Sequence, residues 1–501
     1  MPLRDSAGFL AFDALLTRTV LGNGPVDGRI RQVLAVRALG DFMEAHSRAA
    51  NRGEPFPSHA NAAVRTAAGV FRPAVKRFRP TASEALASLR EGFLVFAAGV
   101  ASAIIPERRR RHEAFVALLG TATGDIIRSG SDALFVNFCR RGPVATLHEP
   151  AAIIAQRGED ASSPVDPLIL YARRPLYRLL RTAPSGTMCR LGLVLSMCNA
   201  AVKAVLRASI DPCEVLLMRD RLEAPVVRAL VSWGSLREVM FSNSSAKRQP
   251  TWARDGTVRT SMIWYSENSK WIWQGGVHDA ELPVYRHLVV GTHWVWTDAH
   301  ARWLRHLGHK GAIRVVGPIL WYLDTGGGGP VPDGVVWVTV FDISPITPRL
   351  AATVGLIDNY YSSERCAAFL DGVVRASEAA RSSTGLDVRV RIKPKRVQHH
   401  MDSAYAEALN RLVASGSLSV MDPAQDLFAL TRGSAISVVQ PFSSPAFVAK
   451  HVGGKACFYD ATEVLTRPPD LDSHVPFVQD RDALVALIAE AARAWVARGR
   501  C

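Results

Sequence analysis

The sequence predicts an α/β chain: a mainly helical amino-terminal region, then two doubly wound, Rossmann-like domains facing a cleft. Three observations carry this. From about residue 191, short apolar runs rich in Val, Ile, Trp and Tyr alternate with segments of helical period. The alternation restarts after Asp324-Thr-Gly-Gly-Gly-Gly-Pro-Val-Pro-Asp-Gly334, a composition that no packed element tolerates. The 501 residues also exceed one core, since single cores stop growing near ~250–300 residues. The boundaries are therefore 1–185 for the helical region, 186–323 for the first α/β domain, 324–334 for a Gly/Pro hinge and 335–501 for the second domain.

In the amino-terminal region, residues 30–43 and 85–96 carry apolar side chains three and four apart, as helices do. The apolar stretch 92–105 (GFLVFAAGVASAII) falls short of the ~20 residues that cross a bilayer, so a buried helix is expected. Pro106, Glu107 and then Arg108, Arg109, Arg110, Arg111 and His112 follow it. That cluster reads as a solvated helix end, or as a peripheral contact with the anionic inner face of the membrane at ~1 kcal/mol per charge.

In the first domain, strands are expected at 238–242, 259–265, 287–290 and 313–316, with a helix at 297–307 capped by Thr297 and ended at Gly308. In the second, the apolar run 335–341 (VVWVTVF) suits a strand buried on both faces. Helices at 363–377, 401–413, 426–432, 444–451 and 481–497 alternate with strands at 388–392, 418–420, 435–439 and 456–459. Alternation at this interval is that of a parallel sheet with crossover helices.

Composition narrows the function classes. With 48% hydrophobic and 21% charged residues the chain folds rather than staying disordered. A net charge of +15 favours nucleic acid, anionic lipid or a phosphorylated substrate without choosing among them. No zinc-finger spacing, RNP aromatic pair or KH loop accompanies it, so nucleic acid is not the expected partner. Seven scattered cysteines without a CxxC pair argue against a disulfide framework or structural zinc. The start, MPLRDSAGFLAFDALL, lacks the apolar core and cleavage site of a secretory signal, which places the chain in the cytoplasm.

In an open parallel sheet, ligands bind beyond the carboxyl ends of the strands. After the strand at 388–392 come Lys393, Pro394, Lys395 and Arg396, three cations on a turn that proline stiffens. Lysines act as point charges and Arg396 grips two oxygens at once, which suits phosphate; a solvated basic run is the alternative. After the strand at 435–439 comes Gln440-Pro441-Phe442-Ser443-Ser444-Pro445, in which Ser443 or Ser444 would cap a helix that Pro445 begins. The two loops are expected to converge on one phosphate. Tyr459 and Asp460 end another strand, as ribose or sugar contacts or as a buried tyrosine with a capping acid. The triplets Asp470-Leu471-Asp472 and Asp480-Arg481-Asp482 follow no predicted strand, so no metal is expected.

These segments, taken in order, resemble a known family. Phe341 to Pro345, Asn359-Tyr360-Tyr361-Ser362, Phe369-Leu370-Asp371, the Lys393 to Arg396 turn, Ile436-Ser437 leading into Pro441 to Ser444, and Tyr459-Asp460 are similar to the surface-polysaccharide biosynthesis proteins named for a Pro-Phe-Thr-Ser motif. Tyr265 to Asn268 and Val316-Gly317-Pro318 fit as well. Ser443 stands where the family pattern has threonine, which keeps the hydroxyl and removes a methyl.

The resemblance implies a glycosyltransferase of GT-B type, with an acceptor-side domain at 186–323 and a donor-binding domain at 335–501. The substrate is a nucleotide sugar and the acceptor a surface glycan, lipopolysaccharide or lipid-linked glycan, with no cofactor. A looser similarity to bacterial sialyltransferases favours a CMP-nonulosonic acid donor. Lys393, Lys395 and Arg396 would stabilise the leaving phosphate, and Pro441, Phe442, Ser443 and Ser444 would hold it. An inverting transfer needs a base, for which Glu267, followed by His278 and Asp279, is the candidate. Trp271 and Trp273 are candidates for stacking on acceptor sugar, among a group with Trp264, Trp294 and Trp296 for which core packing is the commoner use. A nucleotide-sugar epimerase of the same fold and a non-catalytic assembly protein are the alternatives.

Overall fold

The computed structural model describes residues 82–105, 115–119, 138, 152–156, 169–172, 175–183, 185–210, 215, 217–242, 250–254, 256–264, 266, 288–323, 326, 334–341, 343, 345, 360–394, 403–423, 425–468, 471 and 475–499. These divide into two compact units, one carrying a first sheet up to Tyr322 and the other continuing from Leu323 to the last helix.

The first unit is built on seven parallel strands: β1 (Phe115–Leu119), β2 (Ala152–Gln156), β3 (Ile169–Ala172), β4 (Leu236–Ser242), β5 (Arg259–Ile263), β6 (Thr292–Val295) and β7 (Ala312–Val315), in the order β3-β2-β1-β4-β5-β6-β7. Six residues of β4 are buried, only Arg237 being exposed, as expected of a parallel strand covered on both faces. Helices α2 (Pro175–Thr182) and α4 (Met218–Ser232) pack on the sheet, α1 (Ala82–Ile104) and α3 (Thr187–Ile210) pack on α4 and on each other, and α5 (Asp298–His306) lies between β6 and β7 in the chain. The cap of α5 is the predicted one: Thr297 Oγ1 accepts from His300 N at 3.1 Å, and Gly308 takes a positive φ of 87° just beyond the end.

Three differences from the sequence reading stand out. The region before residue 185 contains α1 and α2, and it also supplies β1, β2 and β3, whose four- and five-residue apolar runs carry no period that separates strand from helix. The strand expected at 287–290 begins instead at Thr292, where pairing to Ser261 of β5 starts. Leu288 and Val290 are buried but unladdered, so an apolar run located the core without locating the strand. All but the last residue of the stretch 92–105 belongs to the 23-residue α1, and the stretch is not enclosed. Its Gly92 lies so close to α4 that a Cβ there would stand 2.4 Å from Met218 Cγ, yet the next residue, Phe93, is 69% exposed. Residues 30–43 lie outside the described residues.

The second unit has six parallel strands: β8 (Val336–Phe341), β9 (Val388–Lys393), β10 (Leu418–Val420), β11 (Ile436–Val439), β12 (Ala456–Tyr459) and β13 (Phe477–Val478), in the order β10-β9-β8-β11-β12-β13. Read from β8, this is the 3-2-1-4-5-6 order of a Rossmann sheet, and β3-β2-β1-β4-β5-β6 repeats it in the first unit. The helices are α6 (Ser363–Thr384), α7 (Ser403–Ala414), α8 (Leu427–Arg432), α9 (Pro445–His451) and α10 (Arg481–Ala497). Ser362, Asp426 and Asp480 cap α6, α8 and α10 through their side chains, which sets where each helix starts. Gly385, at φ 71°, ends α6.

One buried cation holds this sheet to α8. Arg391 of β9 donates from Nε to Thr339 Oγ1 (2.8 Å) and from Nη2 to the carbonyls of Leu430 (3.1 Å) and Gly433 (2.8 Å), and its guanidinium stacks on Trp337 at 5.1 Å. Those carbonyls belong to the carboxyl-terminal end of α8, where the helix dipole favours positive charge.

Candidate functional site

In the second sheet the chain order reverses between β8 and β11, because the elements after β8 build outward through β9 and those after β11 build outward through β12. A sheet of this kind opens a crevice at that point, beyond its carboxyl edge. The register places Phe341, Lys393, Val439 and Phe458 level along this edge. The loop from Gln440 to Ser444 leaves β11 there.

That loop is held from three sides. Phe442 drops into the core, edge-on to Phe458 (5.5 Å between ring centroids) and stacked on Phe477 (5.7 Å). Tyr361, just ahead of α6, donates its phenol to Pro441 O at 2.7 Å. Ser443 N closes a turn onto Gln440 O at 3.0 Å, and Gln440 Oε1 faces the Cys366 thiol at 3.8 Å. Pro441 and Phe442, expected as donor contacts, therefore shape the loop by anchoring it.

The serines differ from a simple capping pair. Ser444 occupies the N-cap of α9, with Pro445 at the first helical position as predicted, but its side chain makes no capping bond. Ser443 is 7% exposed, and among the described residues its Oγ has no hydrogen-bond partner, as is also true of Ser437 Oγ in β11. A buried hydroxyl without a partner costs ~1–3 kcal/mol, so such a group in a native fold calls for an explanation.

The basic turn is seen only at its start. Lys393 ends β9, two inter-strand spacings from β11, about 10 Å across the edge. Its Nζ donates to Pro423 O at 2.6 Å, in the loop after β10, which is the outer neighbour of β9 and lies on the far side from β11. Burial lowers the Lys393 pKa, against the opposing pull of Asp422 and Asp426. Lys393 thus has a partner of its own and does not reach toward Ser443. Lys395 and Arg396 lie outside the described residues.

Asp460 and Tyr459 are placed by tertiary contacts. Asp460, fully buried, accepts from Tyr360 OH (2.9 Å), Thr462 N (3.2 Å), Thr462 Oγ1 (2.9 Å), Leu465 N (2.8 Å) and Gln479 Nε2 (3.1 Å). Burial and the neighbouring carboxylate raise the Tyr360 phenol far above its ordinary range, so it stays a donor. Tyr459 packs against Phe369 and lies over Gly372 of α6. Of the two readings open at the sequence level, the structure gives both residues the structural one. Tyr360, Tyr361 and Gln479 received no role from the sequence. The signal for the tyrosines was the Tyr-Tyr pair directly before a capped helix; Gln479 gave none.

In the first unit, Trp264, Trp294 and Trp296 are core residues. Trp264 Nε1 donates to His293 Nδ1 at 3.2 Å, and His300 and His309 pack around the same pair. Burial, reinforced by His309 and His300, lowers the His293 pKa to about 3. Glu267, His278, Asp279, Trp271 and Trp273 lie outside the described residues. Of the acidic triplets, Asp480 serves as the cap of α10. Among the described residues no group of His, Cys, Asp and Glu is placed to hold a metal ion.

The fold thus defines a protein of two Rossmann-like sheets, with an anchored Pro-Phe-Ser-Ser loop at the switch point of the second. The chain belongs to the polysaccharide biosynthesis PFTS motif protein family, whose model matches residues 200–488. No curated protein matches the sequence. Similar solved structures include an α,α-trehalose-phosphate synthase (UDP-forming) from Burkholderia vietnamiensis, at 12% identity and a TM-score of 0.43 over 76% of this chain and 91% of that one. A structure described as trehalose-6-phosphate from E. coli bound with UDP-2-fluoro glucose matches at 11% identity and a TM-score of 0.41, over 77% of this chain and 99% of that one. A UDP-forming synthase of the same kind from Burkholderia xenovorans, in complex with glucose-6-phosphate, matches at 11% and 0.39, over 76% and 91%.

Proposed function

We propose that the protein is a cytoplasmic glycosyltransferase of surface-polysaccharide biosynthesis, of GT-B type, which takes a nucleotide-activated sugar on its second sheet and passes the sugar to a glycan or lipid-linked glycan. Membership of the PFTS family supports the pathway. The observation that carries the donor site is the loop from Pro441 to Ser444, anchored through Phe442 and Tyr361 beyond the carboxyl end of β11 at the switch point of the second sheet. In this reading the Ser443 and Ser444 hydroxyls would hold a phosphate of the donor there.

Lys395 and Arg396 supply the positive charge in this reading, stabilising the nucleotide as it leaves, a role that usually contributes most to such transfers. With protein cations in that role the transfer needs no metal and no cofactor. A CMP-linked nonulosonic acid is the preferred donor. Glu267 is the candidate base toward the acceptor hydroxyl, with His278 and Asp279 following it in sequence, and Trp271 and Trp273 offer aromatic faces to the acceptor sugar.

Calorimetric titration with CMP, UDP, GDP and ADP tests the donor. Binding of CMP alone is the expected result; binding of UDP or GDP alone reassigns the donor, and no binding by any of the four overturns the site. Ser443→Ala is expected to weaken nucleotide binding about tenfold, the value of a hydrogen bond to a charged group, while leaving the unliganded chain as stable or slightly more so. Donor hydrolysis in the absence of any glycan acceptor would instead mark an epimerase.

A further inference from the structure

We propose that α1 and α3 together form a lipid-binding face, through which the protein lies on an anionic phospholipid bilayer with both helices in the plane of the interface. The two helices have 23 and 24 residues, about 35 Å each at 1.5 Å per residue. Residues 85–104 and 187–210 within them are long and apolar enough to cross a membrane, with mean hydropathies of 1.4 and 1.5. A helix apolar all round is normally enclosed by protein or by lipid. Here only 28% and 22% of these stretches is buried.

At its start the sidedness of α3 is inverted relative to a helix facing water. Its Arg190 points inward, donating from Nη2 to Ala183 O (2.9 Å) and from Nη1 to Ser102 O and Ala103 O (3.3 and 3.4 Å). Met188, Leu191, Leu195, Val202 and Val205 point outward, Met188 at 80% and Leu195 at 63% exposure. Because Arg190 near the start of α3 meets Ser102 and Ala103 near the end of α1, the two helices run antiparallel at this end. The uncharged stretch 92–105 therefore lies beside the uncharged stretch 191–202, and their outer faces make one field without a charge. Its polar groups are small and neutral, among them Ser196, Asn199 and the thiols of Cys189 and Cys198.

Charge complementarity selects lipid as the occupant. Arg90, Lys203 and Arg207 are exposed at the far end of the pair, and Arg108, Arg109, Arg110 and Arg111 follow α1 in the sequence. Among the acids near this rim, Glu91 is bonded to Arg219 at 2.7 Å. An apolar field edged by cations matches an acyl boundary edged by anionic headgroups. The inner stripes fix the orientation. Val95 and Met197 belong to the core that includes Val239 and Leu230, so the helices stay on the protein and present one side outward.

Flotation of the full-length protein with vesicles of phosphatidylethanolamine and phosphatidylglycerol tests this. The wild-type chain is expected to float and to stay bound in high salt, since apolar burial is not screened. Phe93→Glu and Leu195→Glu, both at exposed positions, are each expected to lower partitioning about tenfold with an unchanged melting temperature. A second measurement avoids mutating the apolar field: a fluorophore on Cys189 and Cys198 is expected to be quenched by nitroxide-labelled acyl chains, relative to the Cys189→Ser, Cys198→Ser chain. Failure of the wild type to float, unchanged flotation of both glutamate variants, or an unquenched label would each overturn the proposal. A stable dimer in solution that Leu195→Glu dissociates would also overturn it, and would assign the face to a second copy of the chain.

Discussion

Asp460 collects five donors on one carboxylate with no cation among them, so its contribution lies in placing the loop after β12. Asp460→Ala leaves Tyr360 OH and the Leu465 amide without their acceptor, and urea titration should show a loss of about 3 kcal/mol or more. His293 offers a pH signature. Its pKa falls from 6.5 to about 3 in the folded chain. The native state therefore binds no proton there while the unfolded state does, and the stability present above pH 6.5 is lost as pH falls toward 3. The expected slope is ~1.4 kcal/mol per pH unit over that window, and His293→Gln should flatten it in denaturant titrations. The sequence marked Ser443, Asp460 and Lys393 as polar residues at strand ends. It could not say which had partners, since the partners come from Tyr360, Gln479 and Pro423, up to 100 positions away.

Elements were legible where capping and period agreed. Helices α8, α9 and α10 and strands β10 and β12 start and stop where Asp426, Pro445, Asp480 and the flanking turns place them. Strand β13, two residues long, has no period of its own and exists because β12 offers it an edge. The contact between α6 and β12 is likewise tertiary: a Cβ on Gly372 would stand 2.8 Å from the Tyr459 ring and hydroxyl. Gly372→Ala, which in an isolated helix would stabilise by roughly 1 kcal/mol, is therefore expected to destabilise this protein by about 1–3 kcal/mol, read from the urea midpoint. Helix α1 shows the opposite failure. Its hydropathy says "buried", and only the packing shows that its apolar surface faces two ways.

At the scale of the molecule, each unit holds a complete parallel sheet in Rossmann order. A fragment of residues 323–501 is expected to fold alone, with a cooperative thermal transition by circular dichroism and, on the proposed reading, nucleotide affinity close to that of the full chain. A molten fragment would show that the second unit depends on the first. The alternation of strand and helix and the helix caps are local, because period and side-chain capping act within a few residues; these the sequence determined unaided. Strand order, the burial of Ser443, the diversion of Lys393 to Pro423 and the outward apolar face of α1 and α3 were decided by the tertiary structure. Each depends on which distant segment occupies the neighbouring space, and a linear pattern does not encode that.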